Sequence, residues 1–144
     1  MAGTCINRTS EAILVYGSNS PLTPQDKENA LYRLPVNRKT PNGWDCDGIF
    51  IPKNRVAVQL IGADTAGPVA VKYVGGTILG VDIDITFEIT QSVNKYILPA
   101  NQGVFSPAEV CCPSNYPTCV CWEIPNISND QLGAYPEVPN PVPA

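Results

Sequence analysis

Histidine is absent from this 144-residue chain. Histidine is the commonest general base, the usual partner of serine and cysteine nucleophiles, and the commonest metal ligand. Its absence excludes Ser-His-Asp and Cys-His catalysis. The glycine patterns of phosphate-binding loops are also absent. The pair Gly75-Gly76 lies between two strand patterns, where a bulge or a tight turn explains it. The sequence therefore predicts a protein that is not an enzyme and that uses no cofactor.

Charge is scarce as well. Charged residues make up 15% of the chain, and the net charge is −4, whereas soluble domains average about 25% charged residues. The nine basic residues are scattered, with only Arg38 and Lys39 adjacent. Nucleic-acid binding needs a concentrated basic footprint, so no nucleic-acid partner is predicted. A thinly charged surface is readily buried against a protein partner.

No targeting or membrane-spanning segment is visible. The N-terminus lacks the basic start and apolar stretch of a signal peptide. No apolar run approaches the roughly 20 residues of a membrane helix. We therefore expect synthesis in the cytosol, with later incorporation in a particle or release left open.

Alternation of apolar and polar residues dominates the rest of the chain and predicts strands. The clearest pattern covers residues 79–90, with six apolar side chains on one face. Two hairpins are predicted, one joining residues 4–7 to 12–16 and one joining 55–61 to 69–74. Shorter strands are predicted at residues 49–51, 96–98, 104–105 and 119–124.

One segment favours a helix. Residues 25–34 follow Thr23, a suitable N-cap, and Pro24, which suits the first helical position. The competing interpretation is a loop followed by a strand at residues 31–34. Residues 35–48 are rich in Pro, Asn and Gly, which predicts a loop.

These patterns predict an all-β, mainly antiparallel fold with at most one short helix. Eight or nine short strands with frequent turns are typical of a β-sandwich or jelly roll. We expect one such domain over residues 1–133. Residues 134–144 contain four prolines, which predict an extended C-terminal arm of polyproline type.

Four of the six cysteines form a cluster, Cys111, Cys112, Cys119 and Cys121. Zinc sites commonly separate paired cysteines by two to four residues, and neither pair here has that spacing. A disulfide within the cluster and buried free thiols remain as alternatives. The lack of a signal peptide favours free thiols. Cys5 and Cys46 have no neighbouring cysteine, so the sequence does not predict their pairing.

Two further groups are candidates for binding. Asp45 and Asp47, followed by glycine, resemble the start of a calcium loop, while an Asx turn that places Trp44 against the core is the competing interpretation. Trp44, Tyr116 and Trp122 are candidate ligand contacts, since exposed aromatic rings stack on sugars or enter a lipid interface. Core packing of the tryptophans is the alternative.

Together these features predict a structural or assembly protein, such as a coat, decoration or appendage subunit. It would act through protein–protein contacts as a homo-oligomer or larger assembly. The alternative is a surface-binding β-sandwich, either a lectin or a membrane-active, pore-forming module, with a glycan or lipid surface as its partner.

Overall fold

The computed structural model describes residues 3–18, 30–42, 44–58, 64–73, 77–78, 81–82, 86–99, 103–106, 109–110 and 122–144. Within these ranges the chain is mostly β, and one 3-10 helix, Asn129–Ala134, is present. The strands are β1 (Thr4–Asn7), β2 (Ile13–Ser18), β3 (Ala30–Leu34), β4 (Arg38–Lys39), β5 (Asp45–Ile51), β6 (Val56–Val58), β7 (Thr65–Ala66), β8 (Val69–Tyr73), β9 (Thr77–Ile78), β10 (Val81–Asp82), β11 (Thr86–Ser92), β12 (Lys95–Ile97), β13 (Gly103–Ser106), β14 (Glu109–Val110), β15 (Trp122–Glu123) and β16 (Val142–Pro143).

A five-stranded antiparallel sheet has the strand order β13-β8-β5-β2-β3. Its central strands are rich in β-branched and aromatic residues, which suit a pleated, buried surface. Residues 13–16 of β2 are all fully buried, although neighbouring side chains of a strand point to opposite faces. This sheet is therefore covered on both faces in that region.

A seven-stranded sheet has the strand order β16-β4-β1-β11-β12-β6-β7. Two of its pairs, β1 with β11 and β12 with β6, are parallel, so this sheet is mixed and not antiparallel throughout. Along β11, Phe87 and Ile89 are buried while Thr86, Glu88 and Thr90 are exposed. One face of this sheet packs on the core, and the other lies at the surface. Two short ribbons complete the described strands, β9 with β10 and β14 with β15.

Residues of both sheets form one shared core. The seven-stranded sheet contributes, among others, Phe87, Ile89 and Tyr96, and the five-stranded sheet contributes Ile49 and Val71. A disulfide crosses this core from Cys5 of β1 to Cys46 of β5, with a Cα–Cα distance of 6.0 Å. These two cysteines, whose pairing the sequence does not predict, are therefore bonded to each other. The bond ties the two sheets together covalently.

A second apolar cluster covers the opposite face of the five-stranded sheet. Its buried members are Leu14, Tyr16, Leu31, Phe50, Ala70 and Leu132, and the half-buried Ile124, Ile127 and Tyr135 pack against them. The 3-10 helix supplies Leu132 and begins with a capping box formed by Ser128 and Gln131. Asn54 and Asn129 hold the helix in place, since the side-chain amide of Asn54 donates to Asn129 Oδ1 (2.7 Å) and accepts from the Asn129 backbone N–H (2.9 Å).

The C-terminal residues pack on the chain itself. β16 pairs with β4, and the backbone of Glu137 forms a parallel β-bridge with Arg33 of β3. Val138 is buried in the shared core. The structure therefore does not show an arm that extends away from the sheets.

Both predicted hairpins are wrong. β1 pairs with β4 and β11, whereas β2 pairs with β3 and β5 in the other sheet. β6 pairs with β7 and β12, whereas β8 lies in the five-stranded sheet. Alternation marks where strands form, but long-range packing decides which strands pair.

Three segment predictions are also revised. Within the predicted helix, Ala30–Leu34 is β3, which confirms the competing strand at 31–34, while residues 25–29 lie outside the described residues. The predicted loop over 35–48 contains β4 and the first part of β5. Of the predicted strand over 79–90, the alternation is confirmed from Thr86 onward, β10 pairs with β9, and residues 79–80 and 83–85 lie outside the described residues.

Candidate functional site

Asp45 and Asp47, the predicted calcium residues, lie in β5 and not in a loop. The pairing of β5 with β2 is regular up to Gly48, and the next paired residue is Cys46, so Asp47 is the extra residue of a β-bulge. The bulge returns Cys46 to the face that carries the shared core. Asp45 and Asp47 therefore belong to a bulged strand, with Asp47 at the bulge itself. Their side chains lie outside the described part of the structure, and calcium binding stays a prediction.

Of the three predicted ligand-contact aromatics, the structure describes the side chain of Trp44. Trp44 is buried in the shared core, where its ring meets Tyr32 edge to face with 5.4 Å between ring centroids. The core interpretation is therefore confirmed for Trp44. Trp122 lies in β15, with its side chain outside the described part, and Tyr116 lies outside the described residues.

The cysteine cluster cannot be placed in the same way. Cys111, Cys112, Cys119 and Cys121 all lie outside the described residues. The described cysteines are Cys5 and Cys46, and both are in the disulfide. Their separation of 41 residues leaves no spacing motif in the sequence. Both cysteines are buried on strands of different sheets, and only the folded structure shows that these strands bring them together.

A buried polar network fixes the connection between β1 and β2. The Asn7 side-chain amide donates to the backbone carbonyls of Glu11 (2.9 Å) and Leu34 (2.9 Å). Its carbonyl oxygen accepts from the backbone N–H (2.9 Å) and the hydroxyl (2.6 Å) of Thr9. This is an Asx turn with every partner supplied by the chain. It carries β1 into one sheet and β2 into the other.

Glu11 is the charged centre of this end of the molecule. Its carboxylate accepts a bidentate pair of hydrogen bonds from Arg55, at 3.1 Å from Nε and 2.8 Å from Nη2. It also accepts from the amide of Gln91 at 3.2 Å and from the hydroxyl of Tyr96. The side chains of Arg55 and Glu11 are only 16% and 19% exposed. The cluster therefore connects the start of β2 with β6, β11 and β12.

Burial alone would raise the pKa of Glu11, but the hydrogen bonds from Arg55, Tyr96 and Gln91 outweigh it and leave the pKa below its ordinary value. The pKa of Tyr96 is raised, first by burial and then by the adjacent carboxylate. Glu11 is thus held ionised with its oxygens occupied by donors. A carboxylate in that state is suited to holding strands together and poorly suited to taking up a proton. Its partners lie 44 to 85 residues away, so no sequence motif announces the cluster.

An apolar patch lies on the surface face of the seven-stranded sheet. Ile97 of β12 is 40% exposed, and its register partner Val58 of β6 lies beside it on the same face. Val56 of the same strand is also only partly buried, whereas Ala57 points into the core. We call Val56, Val58 and Ile97 the outer patch. The same face also carries the exposed Lys95, which is the register partner of Val56.

A strained apolar residue projects beside this region. Val93, in the turn between β11 and β12, is 87% exposed and has φ 57°. A β-branched residue in the left-handed region is disfavoured. The Gln91 side-chain amide donates to the Val93 carbonyl at 2.8 Å and helps to hold the turn in this conformation. Strain of this kind is often retained at contact sites.

A polar groove of about 440 Å³ lies at the other end of the seven-stranded sheet. Its lining residues are Thr4, Ile6, Lys39, Thr40, Asn42, Thr86, Val142 and Pro143. Hydroxyl, amide and ammonium groups dominate the lining, while the C-terminal strand β16 supplies an apolar wall. Sequence patterns did not predict the groove, because part of its wall forms only when β16 pairs with β4.

Comparisons of the chain with protein-family models, curated proteins and solved structures find no match. Across the described ranges, no helix has the length and apolar character to cross a membrane. In the same ranges, no three Cys, Asp or Glu side chains gather closely enough to hold a metal ion.

Proposed function

We propose that this chain is a non-catalytic structural protein that assembles with other copies of itself through protein–protein contacts. The outer patch of Val56, Val58 and Ile97 carries the proposal, because it is apolar, partly exposed and built on rigid paired strands. The exposed Lys95 lies beside Val56, and interfaces commonly surround an apolar centre with a polar rim. The low charge of the whole chain, 15%, favours the same role.

We further propose that the two sheets form a β-sandwich. The shared core contains side chains of both sheets, and the Cys5–Cys46 bond connects them across it. Inward and outward residues alternate along β11, as the strands of a sandwich do. This architecture leaves the surface face of the seven-stranded sheet for contacts.

The disulfide supports assembly in an oxidising environment. Disulfides persist outside the reducing cytosol and are rare within it. A subunit that assembles in a released particle or on a cell surface would keep Cys5 and Cys46 paired. Thiol alkylation of the native protein followed by peptide mass analysis tests this, and labelling of both cysteines without reductant would contradict it.

Light scattering coupled to size exclusion tests the assembly proposal. The wild-type chain is expected to form oligomers whose mass rises with concentration, and Ile97→Lys is expected to dissolve them, since a charge in a buried interface is strongly unfavourable. Asn126→Lys is the matched control: Asn126 is exposed and lies between Ile124 and Ile127, which pack on the five-stranded sheet, away from the outer patch. A monomeric wild type, or equal loss in both variants, would contradict the proposal.

Glycan binding is a second candidate function, favoured by the polar groove. Its volume of about 440 Å³ suits a small sugar, since ligand pockets range from about 300 to 1,000 Å³. Asn42 and Thr86 would supply hydrogen bonds to hydroxyl groups. On a glycan array, Asn42→Ala and Thr86→Val should weaken any signal, while Asn94→Ala, at the distant hairpin turn, should not. A silent array would eliminate this candidate, and liposome sedimentation would test the membrane-active form of the alternative.

A further inference from the structure

The last nine residues close the edges of both sheets. At β3, the edge strand of the five-stranded sheet, the Arg33 N–H donates to the Pro136 carbonyl (2.7 Å) and the Val138 N–H donates to the Arg33 carbonyl (2.9 Å). At the seven-stranded sheet, β16 pairs with β4, and the Ala144 N–H donates to the Asn37 carbonyl (3.1 Å). We call residues 136–144 the strap.

Prolines reduce the number of backbone donors in the strap. Pro139, Pro141 and Pro143 alternate with residues that keep their N–H groups. Each of these prolines lacks the N–H group that an added strand would need as a donor. The chain bends at Asn140, which has φ 50°, so Val138 and Ala144 donate from two separate extended pieces, one on each side of the bend. The strap therefore pairs inward and offers few donors outward, which protects the edge against further strand addition.

One side chain anchors the strap. Val138 is buried in the shared core, whereas its neighbours Glu137 and Pro139 are exposed. Recognition thus needs one apolar anchor and one row of backbone hydrogen bonds. Proline-rich chains are already extended before they dock, so little conformational entropy is lost on docking. The apolar anchor lies in the strap, and its hydrogen-bonding partners lie on β3 and β4. Every copy of the chain therefore carries a strap and the edges that bind it.

The segment before the strap determines which contacts must change for the strap to move. The 3-10 helix is held at its start by Asn54 and by the hydrogen bond from the Lys53 N–H to the Ile127 carbonyl at 2.8 Å. Gly133, near its end, is exposed, and an added Cβ would meet nothing within 4 Å. Arg33 Nη1 donates to the carbonyls of Gly133 (3.4 Å) and Tyr135 (2.6 Å), so the strap leaves its own edges only when these bonds break and form again on the second copy.

We infer that the strap is an exchangeable strand, which takes the same place on the β3 and β4 edges of a second copy of this chain. The inference rests on the proposed assembly function and names the contact that links its subunits. Within one chain the local concentration of the strap favours its own edges. In a crowded assembly the edges of a neighbour compete, and exchange links the copies without any new kind of contact.

Site-directed cross-linking tests the exchange. Lys39 and Val142 are register partners of β4 and β16. A Lys39→Cys chain is mixed with an isotopically labelled Val142→Cys chain at high concentration, then oxidised mildly and mapped by peptide mass analysis without reduction. Exchange predicts a 39–142 link between labelled and unlabelled chains, at least about tenfold above a Lys53→Cys and Val142→Cys pair, because docking raises the effective concentration of the two thiols.

Two controls make the result decisive. A chain with both Lys39→Cys and Val142→Cys should link within itself, which shows that the two sulfur atoms reach each other. Excess peptide 134–144 should reduce the link between chains, and the same peptide with Val138→Asp should not. Links confined to single chains would overturn the exchange. The assembly function would still stand in that case if Ile97→Lys dissolved the oligomer, so the two failures are distinguishable.

Discussion

The two sheets of this protein differ in how many of their faces are covered. In the five-stranded sheet, consecutive residues are buried: Ile49 and Ile51 face the shared core, while Phe50 between them faces the cluster closed by Leu132. In the seven-stranded sheet, every second residue of β11 is exposed. The strands of the first sheet are buried on both faces here, whereas β11 is apolar on one face and polar on the other.

The difference shows that short apolar runs and alternating runs carry different information. An antiparallel sheet commonly has one solvated face, but here the chain brings its own C-terminal residues back to cover the second face of the five-stranded sheet. That sheet is consequently interior, and it contributes stability. The seven-stranded sheet keeps its outer face open and carries the outer patch, the strained turn and the polar groove.

The largest expected effect comes from the doubly covered sheet. Phe50→Ala removes a fully buried ring and should lower the free energy of unfolding by about 3–5 kcal/mol. Ile97→Ala on the surface face of the other sheet should cost less than about 1 kcal/mol. Urea unfolding followed by tryptophan fluorescence measures both. Equal losses would show that the two sheets are not differently covered.

The disulfide tests how strongly the sheets depend on each other. Replacing Cys5 and Cys46 by alanine together releases a loop of 41 residues, and about 3–4 kcal/mol of stability should be lost through the gain in unfolded-state entropy. The same urea experiment gives the value, with wild type in the presence of reductant as the parallel case. An unchanged unfolding midpoint in the double variant would mean that the bond does not constrain the chain.

Glu11→Gln tests the polar link between the sheets. The loss of charge from the hydrogen bonds with Arg55 and Tyr96 should cost about 1–3 kcal/mol near neutral pH. The folded-state pKa of Glu11 lies below its ordinary value, so its contribution to stability is present above the ordinary glutamate range. It is lost as the pH falls through the folded-state pKa.

Stability measured between neutral pH and about pH 3 therefore separates the variant from the wild type. The wild type should lose stability more steeply on acidification, because the variant lacks this carboxylate. Glu88→Gln, which alters an exposed pair with Arg8, is the control and should follow the wild type. Parallel profiles for Glu11→Gln and the wild type would contradict the role given to Glu11.

The smallest expected effect is a gain. Val93→Gly should raise stability by up to about 1 kcal/mol, because glycine accepts the positive φ that valine resists. Thermal unfolding measures the change. Val93→Ala is the control and should gain less, since alanine keeps the Cβ. A glycine variant less stable than the wild type would show that the turn is not strained.

Sequence reasoning reached the strand content but not the strand partners. The alternation from Thr86 to Thr90 identified the buried and exposed faces of β11 correctly, because side-chain direction follows from strand geometry alone. The same reasoning paired β1 with β2 and β6 with β8, which is wrong. Nearness in sequence favours hairpins, but here buried side chains drew neighbouring strands into opposite sheets.

The sequence predicted the candidate surfaces less well than it predicted the strands. Trp44 was predicted as a ligand contact, with core packing as the alternative, and it is part of the core, where its ring meets Tyr32. The outer patch joins Val58 to Ile97 through a parallel pairing between distant segments. The cysteine cluster and Tyr116 lie outside the described residues, so their roles stay predictions.

By itself, the sequence determined a chain without histidine, low in charge and rich in β-type alternation, and each of these follows from residue identity and local geometry. Only the tertiary structure decided that Cys5 meets Cys46, that Glu11 meets Arg55, and that the proline-rich C-terminus returns to close the sheet edges. These contacts join residues dozens of positions apart. Burial in a common core selects such pairs, and no local pattern encodes that selection.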